Sequence, residues 1–215
     1  MKNIKWYKVG GILTAALLCA TVLNADTFSV GNVGSWNVGS GQVNGKFQVQ
    51  TIDDFAGLGA LELGLRAQQR RIGPIDPVGD DYFVNAGPDI GASNPNMAWW
   101  NFDWSALGAA AAGIDHLWLT ISTPDASSGP FDLITDRQDS SNMGYAGWFP
   151  SFDMNKATTY HFELTAEEDV VGIGAVVSNA TEMDVVVTPE PSEMAMVTVL
   201  FGAVLVFVRR RKLAA

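Results

Sequence analysis

The sequence predicts an all-β protein: an antiparallel β-sandwich of the jelly-roll or immunoglobulin-like type, flanked by an N-terminal signal helix and a C-terminal transmembrane helix. Three observations predict it. Short segments alternate apolar with polar side chains, clusters of glycine, proline and asparagine separate them, and an apolar run stands near each end of the 215-residue chain. The part between the two apolar runs is long enough for one domain with its own core.

Alternation with a period of two residues marks the predicted strands. The clearest case is the segment 61–71, where Leu61, Leu63 and Leu65 alternate with polar or small residues. The same pattern occurs in residues 46–51, 81–85, 99–104, 116–122, 160–165, 170–177 and 183–187. About eight to ten short strands are typical of a β-sandwich. The apolar positions predict a core that includes Leu63, Trp100, Phe102, Leu119 and Phe162.

Turn-forming residues separate these strands. The clusters Gly87-Pro88-Asp89, Asn94-Pro95-Asn96 and Ser128-Gly129-Pro130 predict turns. Residues 107–114 (LGAAAAGI) predict one or two helical turns, because the flanking glycines disfavour a longer helix. These breaks place the β-sandwich domain at residues 46–188.

A Gly/Asn-rich segment, residues 26–45, precedes this domain. It contains a small internal repeat, with Asn-Val-Gly-Ser at 32–35 and again at 37–40. Two copies are too few for a solenoid. The composition is compatible with a strand-and-turn lead-in to the domain and with a flexible arm.

Residues 1–25 have the three parts of a secretory signal peptide. Lys2, Lys5 and Lys8 form a basic region, residues 9–23 are apolar, and the small residue Ala25 marks the predicted cleavage point. We therefore expect export through the Sec translocon and removal of this segment by signal peptidase.

The only cysteine, Cys19, lies inside the predicted signal peptide. Lipid attachment there is disfavoured, because the preceding Leu18 is larger than the residue that a lipobox requires. The exported part of the chain therefore has no thiol and no disulfide, and its stability must come from packing.

The exported part is strongly acidic. The whole chain has a formal charge of −10, but residues 26–188 contain six basic and 21 acidic residues, a charge of −15. Such a surface repels phosphate backbones, so nucleic-acid binding is disfavoured. It is compatible with divalent cations or neutral sugars, although a solvated acidic face is the simplest interpretation.

The C-terminal segment, residues 189–215, has three parts in order. It begins with Pro189-Glu190-Pro191, where the prolines favour an extended and accessible backbone. An apolar run follows at 194–208, whose 15 residues are fewer than the roughly 17–25 of a permanent transmembrane helix. Four basic residues then predict a cytoplasmic end: Arg209, Arg210, Arg211 and Lys212.

This ordered combination resembles the PEP-CTERM sorting signal, and the resemblance covers about 28 residues. It implies processing at the Pro-Glu-Pro segment by exosortase, a membrane cysteine protease of Gram-negative bacteria that make exopolysaccharide. The implied precursor is transiently anchored in the inner membrane with a periplasmic body, and its product reaches the cell surface or medium. An uncleaved single-pass anchor is the alternative. The body resembles, more loosely, the Trp-rich β-domains of other PEP-CTERM proteins, which implies a fold and no activity.

Two tryptophans are candidate carbohydrate contacts. Trp99 and Trp118 fall on the polar faces of their predicted strands, where flat aromatic rings can stack on sugars. Packing of these rings under a loop is the competing interpretation.

Metal sites are less well supported by the sequence. Asp80, Asp81, Asp89 and the segment 136–142 offer oxygen ligands, but none has EF-hand spacing, so we interpret them as turn-forming residues. The two histidines, His116 and His161, lie within predicted strands without a partner at zinc-site spacing. We expect no cofactor.

Catalytic motifs of the common hydrolase and nucleotide-binding classes are absent from the sequence. Glu62 and Glu163 are possible carboxylates for a small secreted glycan hydrolase. We instead expect a non-enzymatic surface or extracellular-matrix protein associated with exopolysaccharide or biofilm. A carbohydrate-binding module that uses exposed tryptophans is the alternative.

Overall fold

A computed structural model of the chain describes residues 27–34, 46–94, 96–145, 147–170 and 175–189. The predicted signal peptide lies outside these residues, and so does the sorting segment beyond Pro189, including the apolar run 194–208. The described part is all β. Its strands are β1 (Thr27–Gly31), β2 (Phe47–Ile52), β3 (Leu61–Gln69), β4 (Gly73–Pro74), β5 (Asp81–Asn85), β6 (Trp100–Leu107), β7 (His116–Thr123), β8 (Ala126–Asp132), β9 (Gln138–Asn142), β10 (Thr159–Val170) and β11 (Ala175–Thr188).

The strands form two sheets. Sheet A has the order β1-β2-β3-β6-β9, with β4 paired to the end of β3, and all its pairs are antiparallel. Sheet B has the order β5-β11-β10-β7-β8. In sheet B the β5–β11 pair is parallel and the others are antiparallel.

The prediction of a wholly antiparallel fold is therefore wrong for one pair. A tight hairpin forces neighbouring strands to be antiparallel, but β5 joins sheet B by pairing with a strand about a hundred residues later in the chain. The direction of β11 is set by its hairpin with β10, in which Thr159 pairs with Val186 and Val170 with Ala175. The edge strand β5 can then pair with β11 in either direction.

One apolar core lies between the two sheets. Aromatic rings of β6 contact rings of β10: the centroids of Phe102 and Phe162 are 4.9 Å apart, and Trp100 meets Phe162 edge-on at 6.4 Å. The five core residues predicted from the sequence are all buried in this cluster, which confirms the prediction. Each large apolar side chain buried in this way contributes about 1.5–3 kcal/mol.

Sheet A is also covered on part of its outer face. Phe47 and Val49 share one face of β2, as predicted, but that face points away from the main core and is nevertheless buried with Val33. A Cβ at Gly64 would lie 2.6 Å from Val33 Cγ1, so glycine is needed there for Val33 to pack across β3. The segment after β1 thus folds back onto sheet A.

Two predicted strands at the end of the chain belong to one hairpin. Residues 170–177 were expected to form a single strand, but β10 ends at Val170 and β11 begins at Ala175. The predicted strand 183–187 is the second half of β11. Alternation of apolar residues continues through both arms, so the sequence pattern does not show where the chain reverses.

Two predicted turn regions are strands. Ser128-Gly129-Pro130 lies within β8, an edge strand, where proline is tolerated because one side of its backbone needs no partner. The oxygen-rich segment 136–142 contains β9, the other polar edge strand. By contrast, residues 107–114 do contain the expected short helical turn, a 3-10 turn at Ala110–Ala112.

Replacing Trp100 by alanine is expected to lower the free energy of unfolding by about 3–5 kcal/mol, because a fully buried aromatic ring is lost from the core. Trp99 is half-buried, so Trp99→Ala should cost clearly less. Urea unfolding of the two variants measures the difference. Equal destabilisation would contradict the assignment of the two rings to different environments.

Candidate functional site

The two candidate tryptophans belong to different sheets. Trp118 lies in the middle of β7 in sheet B, whereas Trp99 immediately precedes β6 in sheet A. Both side chains are half-buried. The structure therefore does not bring them together into one platform, and each must be considered as a separate contact.

Trp118 is held on the outward face of sheet B. Its indole Nε1 donates a hydrogen bond to Glu167 Oε2 at 2.7 Å, and its ring stacks on that of His116 with centroids 4.8 Å apart and planes 18° apart. These contacts come from the strands of sheet B themselves and not from a covering loop. The ring is thus oriented by its neighbours while part of it stays exposed.

The backbone of Trp99 has a structural role. Its amide donates to Gly87 O at 3.1 Å, and its carbonyl accepts from Arg70 N at 3.0 Å and from Gln69 Nε2 at 2.7 Å. These bonds connect β3 to the turn before β6. The backbone position of Trp99 is therefore fixed independently of what its side chain contacts.

The outward face of sheet B is acidic and contains both histidines. No strand of this sheet includes lysine or arginine. No partner of either histidine was predicted from the sequence, but the pairing of the strands places a carboxylate beside each. His161 Nδ1 lies 2.8 Å from Asp184 Oδ1, and His116 Nδ1 lies 3.5 Å from Asp132 Oδ2. In the described part of the chain, no three His, Cys, Asp or Glu side chains are grouped so as to hold a metal ion.

Asp89 was considered as a calcium ligand from the sequence, but its carboxylate oxygens already accept hydrogen bonds from other groups of the protein. Its buried carboxylate accepts hydrogen bonds from Arg70 Nε at 2.6 Å, Arg71 Nε at 3.1 Å and Gly91 N at 3.1 Å. Burial opposes ionisation of this carboxyl, but the hydrogen bonds from the two arginines outweigh it and lower its pKa. Asp89 therefore anchors the 87–91 turn to the end of β3.

The segment 136–142 is likewise used for structure. The carbonyl of Asp136 accepts a hydrogen bond from Trp104 Nε1 at 2.7 Å. Asn142 is buried and its Nδ2 donates to the carbonyls of Ala98 and Trp100 at 2.8 and 2.7 Å. These bonds attach the edge strand β9 to β6. The segment that was considered as a source of calcium ligands therefore has a structural role in sheet A.

Glu62 and Glu163 lie on the outward faces of different sheets. Glu62 Oε1 accepts a hydrogen bond from Gly34 N at 2.6 Å beside sheet A, and Glu163 pairs in register with Thr120 and Glu182 in sheet B. The shared core lies between the two carboxylates. They do not face each other across one cleft.

A buried ion pair on sheet A was not predicted from the sequence. Arg66 Nε lies 2.5 Å from Asp103 Oδ2, and both side chains are 0% exposed. Gln68 Nε2 donates to Asp103 Oδ1 at 3.1 Å, and the guanidinium of Arg66 lies 4.4 Å from the Phe47 ring centre. Burial raises the pKa of Asp103, against the opposing effect of Arg66. The pair forms because β3 and β6 place both residues at the same register position.

A cavity of about 340 Å³ opens beside the turn between β7 and β8. It is bordered by the end of β7, by that turn, and by the segment 149–160 that leads into β10. Tyr160 forms part of its wall, and burial, with a smaller effect from Asp153, raises the pKa of this tyrosine to about 12. No sequence pattern indicated this cavity, because its lining residues come from two separate segments, 123–126 and 149–160.

Within the described residues, no helix has the length and apolar character needed to cross a membrane. Comparison of the chain with protein-family models, with curated proteins and with solved structures found no match.

Replacing Asp89 by asparagine is expected to lower the free energy of unfolding at pH 7 by about 1–3 kcal/mol, because hydrogen bonds to a charged group are lost. The folded-state pKa of Asp89 lies below its ordinary value of 3.8, so the carboxylate stabilises the fold above that value. This contribution is lost as the pH falls through the folded-state pKa. The difference between wild type and variant should therefore shrink as the pH is lowered below 3.8, as measured by urea unfolding.

The matched control is Asp80→Asn, which removes an exposed carboxylate of the same size. It should change the free energy of unfolding by less than about 0.5 kcal/mol. An effect as large as that of Asp89→Asn, or a difference for Asp89→Asn that stays constant with pH, would contradict the anchoring role.

Proposed function

We propose that the chain is an exported, non-enzymatic surface or extracellular-matrix protein that is processed by an exosortase and associates with exopolysaccharide. The observation that carries the proposal is the ordered C-terminal combination of Pro189-Glu190-Pro191, the apolar run 194–208 and the four basic residues that follow it. The N-terminal segment 1–25, with the pattern of a signal peptide, supports export of the part between.

We also propose that this part is a β-sandwich of the jelly-roll or immunoglobulin-like type, with a signal helix before it and a transmembrane helix after it in the precursor. Two sheets that share one core support the sandwich. A core built from large aromatic residues can stabilise an exported domain that has no disulfide, because its stability then depends on packing alone.

The position of the last strand supports processing at the Pro-Glu-Pro segment. β11 ends at Thr188, whose carbonyl accepts from Ala86 N at 2.8 Å and whose hydroxyl donates to Val84 O at 3.1 Å. Pro189 follows directly and is half-buried. Cleavage after this point would release the folded body without removing any residue of the β11 ladder.

Processing is expected to yield a species that starts near Asp26 and ends near Pro189-Glu190-Pro191. Intact-mass spectrometry of protein recovered from the cell surface or the medium measures both ends. Replacing Pro189, Glu190 and Pro191 by alanine should leave insertion intact but block release, so the uncut form should accumulate in the inner membrane.

The control variant replaces Arg209, Arg210, Arg211 and Lys212 by glutamine. Without these charges a 15-residue apolar run is too short to stop translocation firmly, so uncut precursor should enter the periplasm. Fractionation separates the two outcomes. A major mature product that retains the basic end, or identical behaviour of the two variants, would contradict the division of the tail into processing motif and anchor.

A second candidate function, carbohydrate binding at the outward face of sheet B, is favoured by the environment of Trp118. Its half-buried ring is oriented by His116 and Glu167, and the carboxylate of Glu163 lies on the same face. An oriented aromatic ring beside carboxylate acceptors is the arrangement with which proteins hold sugar rings and their hydroxyls.

Under this second function, Trp118→Ala should weaken binding of the protein to the producer's own exopolysaccharide by at least tenfold, as measured by cosedimentation. Trp99→Ala serves as the control, since Trp99 belongs to the other sheet. Unchanged binding by the Trp118 variant would exclude this face as the contact.

A further inference from the structure

We propose that the outward face of sheet B binds a cationic polysaccharide, a chain of amino sugars whose amino groups are free and protonated. This inference deepens the second candidate function, carbohydrate binding around Trp118, and rests on it for the position of the site. It adds the charge of the ligand, which the carboxylates around Trp118 determine.

The outward face of sheet B carries negative charge that no strand of the sheet compensates. Leu119, Leu164 and Met183 are buried on the inward side of β7, β10 and β11, so the residues that alternate with them face outward. Five carboxylates lie on this outward face: Asp132, Glu163, Glu167, Glu182 and Asp184. The five strands contain no lysine or arginine. An acidic polysaccharide would therefore be repelled from this face, and a basic one would be attracted to it.

Two of these carboxylates lie directly opposite each other. Glu163 in β10 pairs in register with Glu182 in β11, and like charges in such a position destabilise a sheet. His161 Nε2 lies 4.0 Å from Glu182 Oε2, whereas the contact of Glu163 within the described residues is a hydroxyl, Thr165 Oγ1 at 3.3 Å. On its other side Glu163 pairs with the uncharged Thr120. A cationic group bound beside Glu163 would relieve this repulsion.

Trp118 lies next to the like-charged pair on the same face. It pairs in register with Thr165, and Glu163 and Glu167 lie two residues to either side of Thr165 along β10. Such diagonal neighbours are roughly 7–8 Å apart, so a sugar ring stacked on the indole can reach Glu163. Glu167 already accepts the hydrogen bond of the indole Nε1 at 2.7 Å. Tryptophan is also the aromatic residue that attracts cations most strongly, so the ring and Glu163 favour the same protonated amine.

The residues around the indole favour a sugar chain over a basic peptide. Thr120 and Ser122 follow Trp118 on the same face of β7, and Thr165 and Ala180 lie beside it in register. Their side chains are small, and three of them carry hydroxyls that can exchange hydrogen bonds with sugar hydroxyls. A flat aromatic ring can stack on the apolar face of a pyranose. An amino sugar is the ligand that uses the ring, the hydroxyls and the carboxylates together.

The test compares two probes with the same sugar backbone, the glucosamine tetramer and the N-acetylglucosamine tetramer. The full chain is purified in detergent and titrated by calorimetry at a pH at which the free amines are protonated. The glucosamine tetramer should bind about tenfold more tightly, because acetylation removes the charge that the carboxylates and the indole attract. This advantage should decrease as sodium chloride is added, since salt screens exposed charges.

Two variants test the two parts of the site. Trp118→Ala should weaken binding of the glucosamine tetramer by about tenfold, because the stacking surface is lost. Glu163→Gln combined with Glu182→Gln should weaken it by about three- to tenfold and leave the acetylated tetramer unaffected, because only charge is removed. The double variant also removes a like-charged pair, so it should fold, and circular dichroism with thermal unfolding verifies this for both proteins.

The matched control for the double variant is Asp53→Asn combined with Asp76→Asn. Both carboxylates are exposed and lie in loops outside the strands of sheet B, and the change in net charge is the same. The affinity for the glucosamine tetramer should stay unchanged. A loss as large as that of the Glu163 and Glu182 variant would overturn the proposal, because the attraction would then come from net charge and not from this face.

Three other outcomes would also overturn it: no binding of the glucosamine tetramer, equal binding of the two tetramers, or an affinity that neither sheet B variant changes. Tighter binding of tetralysine than of the glucosamine tetramer would replace the polysaccharide by a basic peptide. Failure of the second candidate function is distinguishable from failure of this inference. Trp118-dependent binding of both tetramers with equal affinity would leave sugar binding intact and exclude the cationic ligand. Trp118-dependent binding of the glucosamine tetramer, without any effect of Trp118→Ala on cosedimentation with the exopolysaccharide, would do the reverse.

Discussion

The aromatic contact between β6 and β10 joins the two sheets, and the rest of the structure depends on it. Phe102 and Phe162 meet at 4.9 Å, and Trp100 adds contacts with Tyr160 and Phe162 from the same pair of strands. The described residues contain no cysteine, so no disulfide replaces this packing if it is lost. The cavity wall depends on it too, because Tyr160 is both a core residue and a border of the cavity.

Sheet A differs from the usual sheet with one solvated face. Beyond the shared core, its outer face buries Phe47 and Val49 together with the ion pair of Arg66 and Asp103. A buried ion pair contributes little net stability, but the removal of one partner is costly. Its benefit here is to specify register: β3 and β6 can satisfy both charges only when Arg66 and Asp103 are opposite each other. Sheet B is polar outside, and its acidic outward face gives the protein an asymmetric surface.

Features that depend on a local sequence pattern could be predicted, whereas features that depend on pairing between distant segments could not. The alternation of apolar and polar residues correctly predicted β5 at Asp81–Asn85, the start of β7 at His116 and the burial of Trp100. These features could be predicted because the face of a strand on which a side chain lies follows from the local sequence. The polar strands β8 and β9 were not predicted, since they are strands only through their pairing with β7 and β6. The contact of His161 with Asp184 depends on register, and the cavity depends on two segments that are distant in sequence. The sequence does not encode either of these in a short window.

The attachment of the tail to β11 has a mechanical consequence. β11 lies inside sheet B, pairs with β10 over twelve register positions and with β5 over five, and ends one residue before Pro189. A pull on the tail therefore acts along the axis of an interior strand. The ladder bonds are roughly perpendicular to that axis, so they are loaded together in shear and are not opened one after another from an end. In the proposed membrane-anchored precursor, this geometry would let the body keep its fold under a pull on the tail.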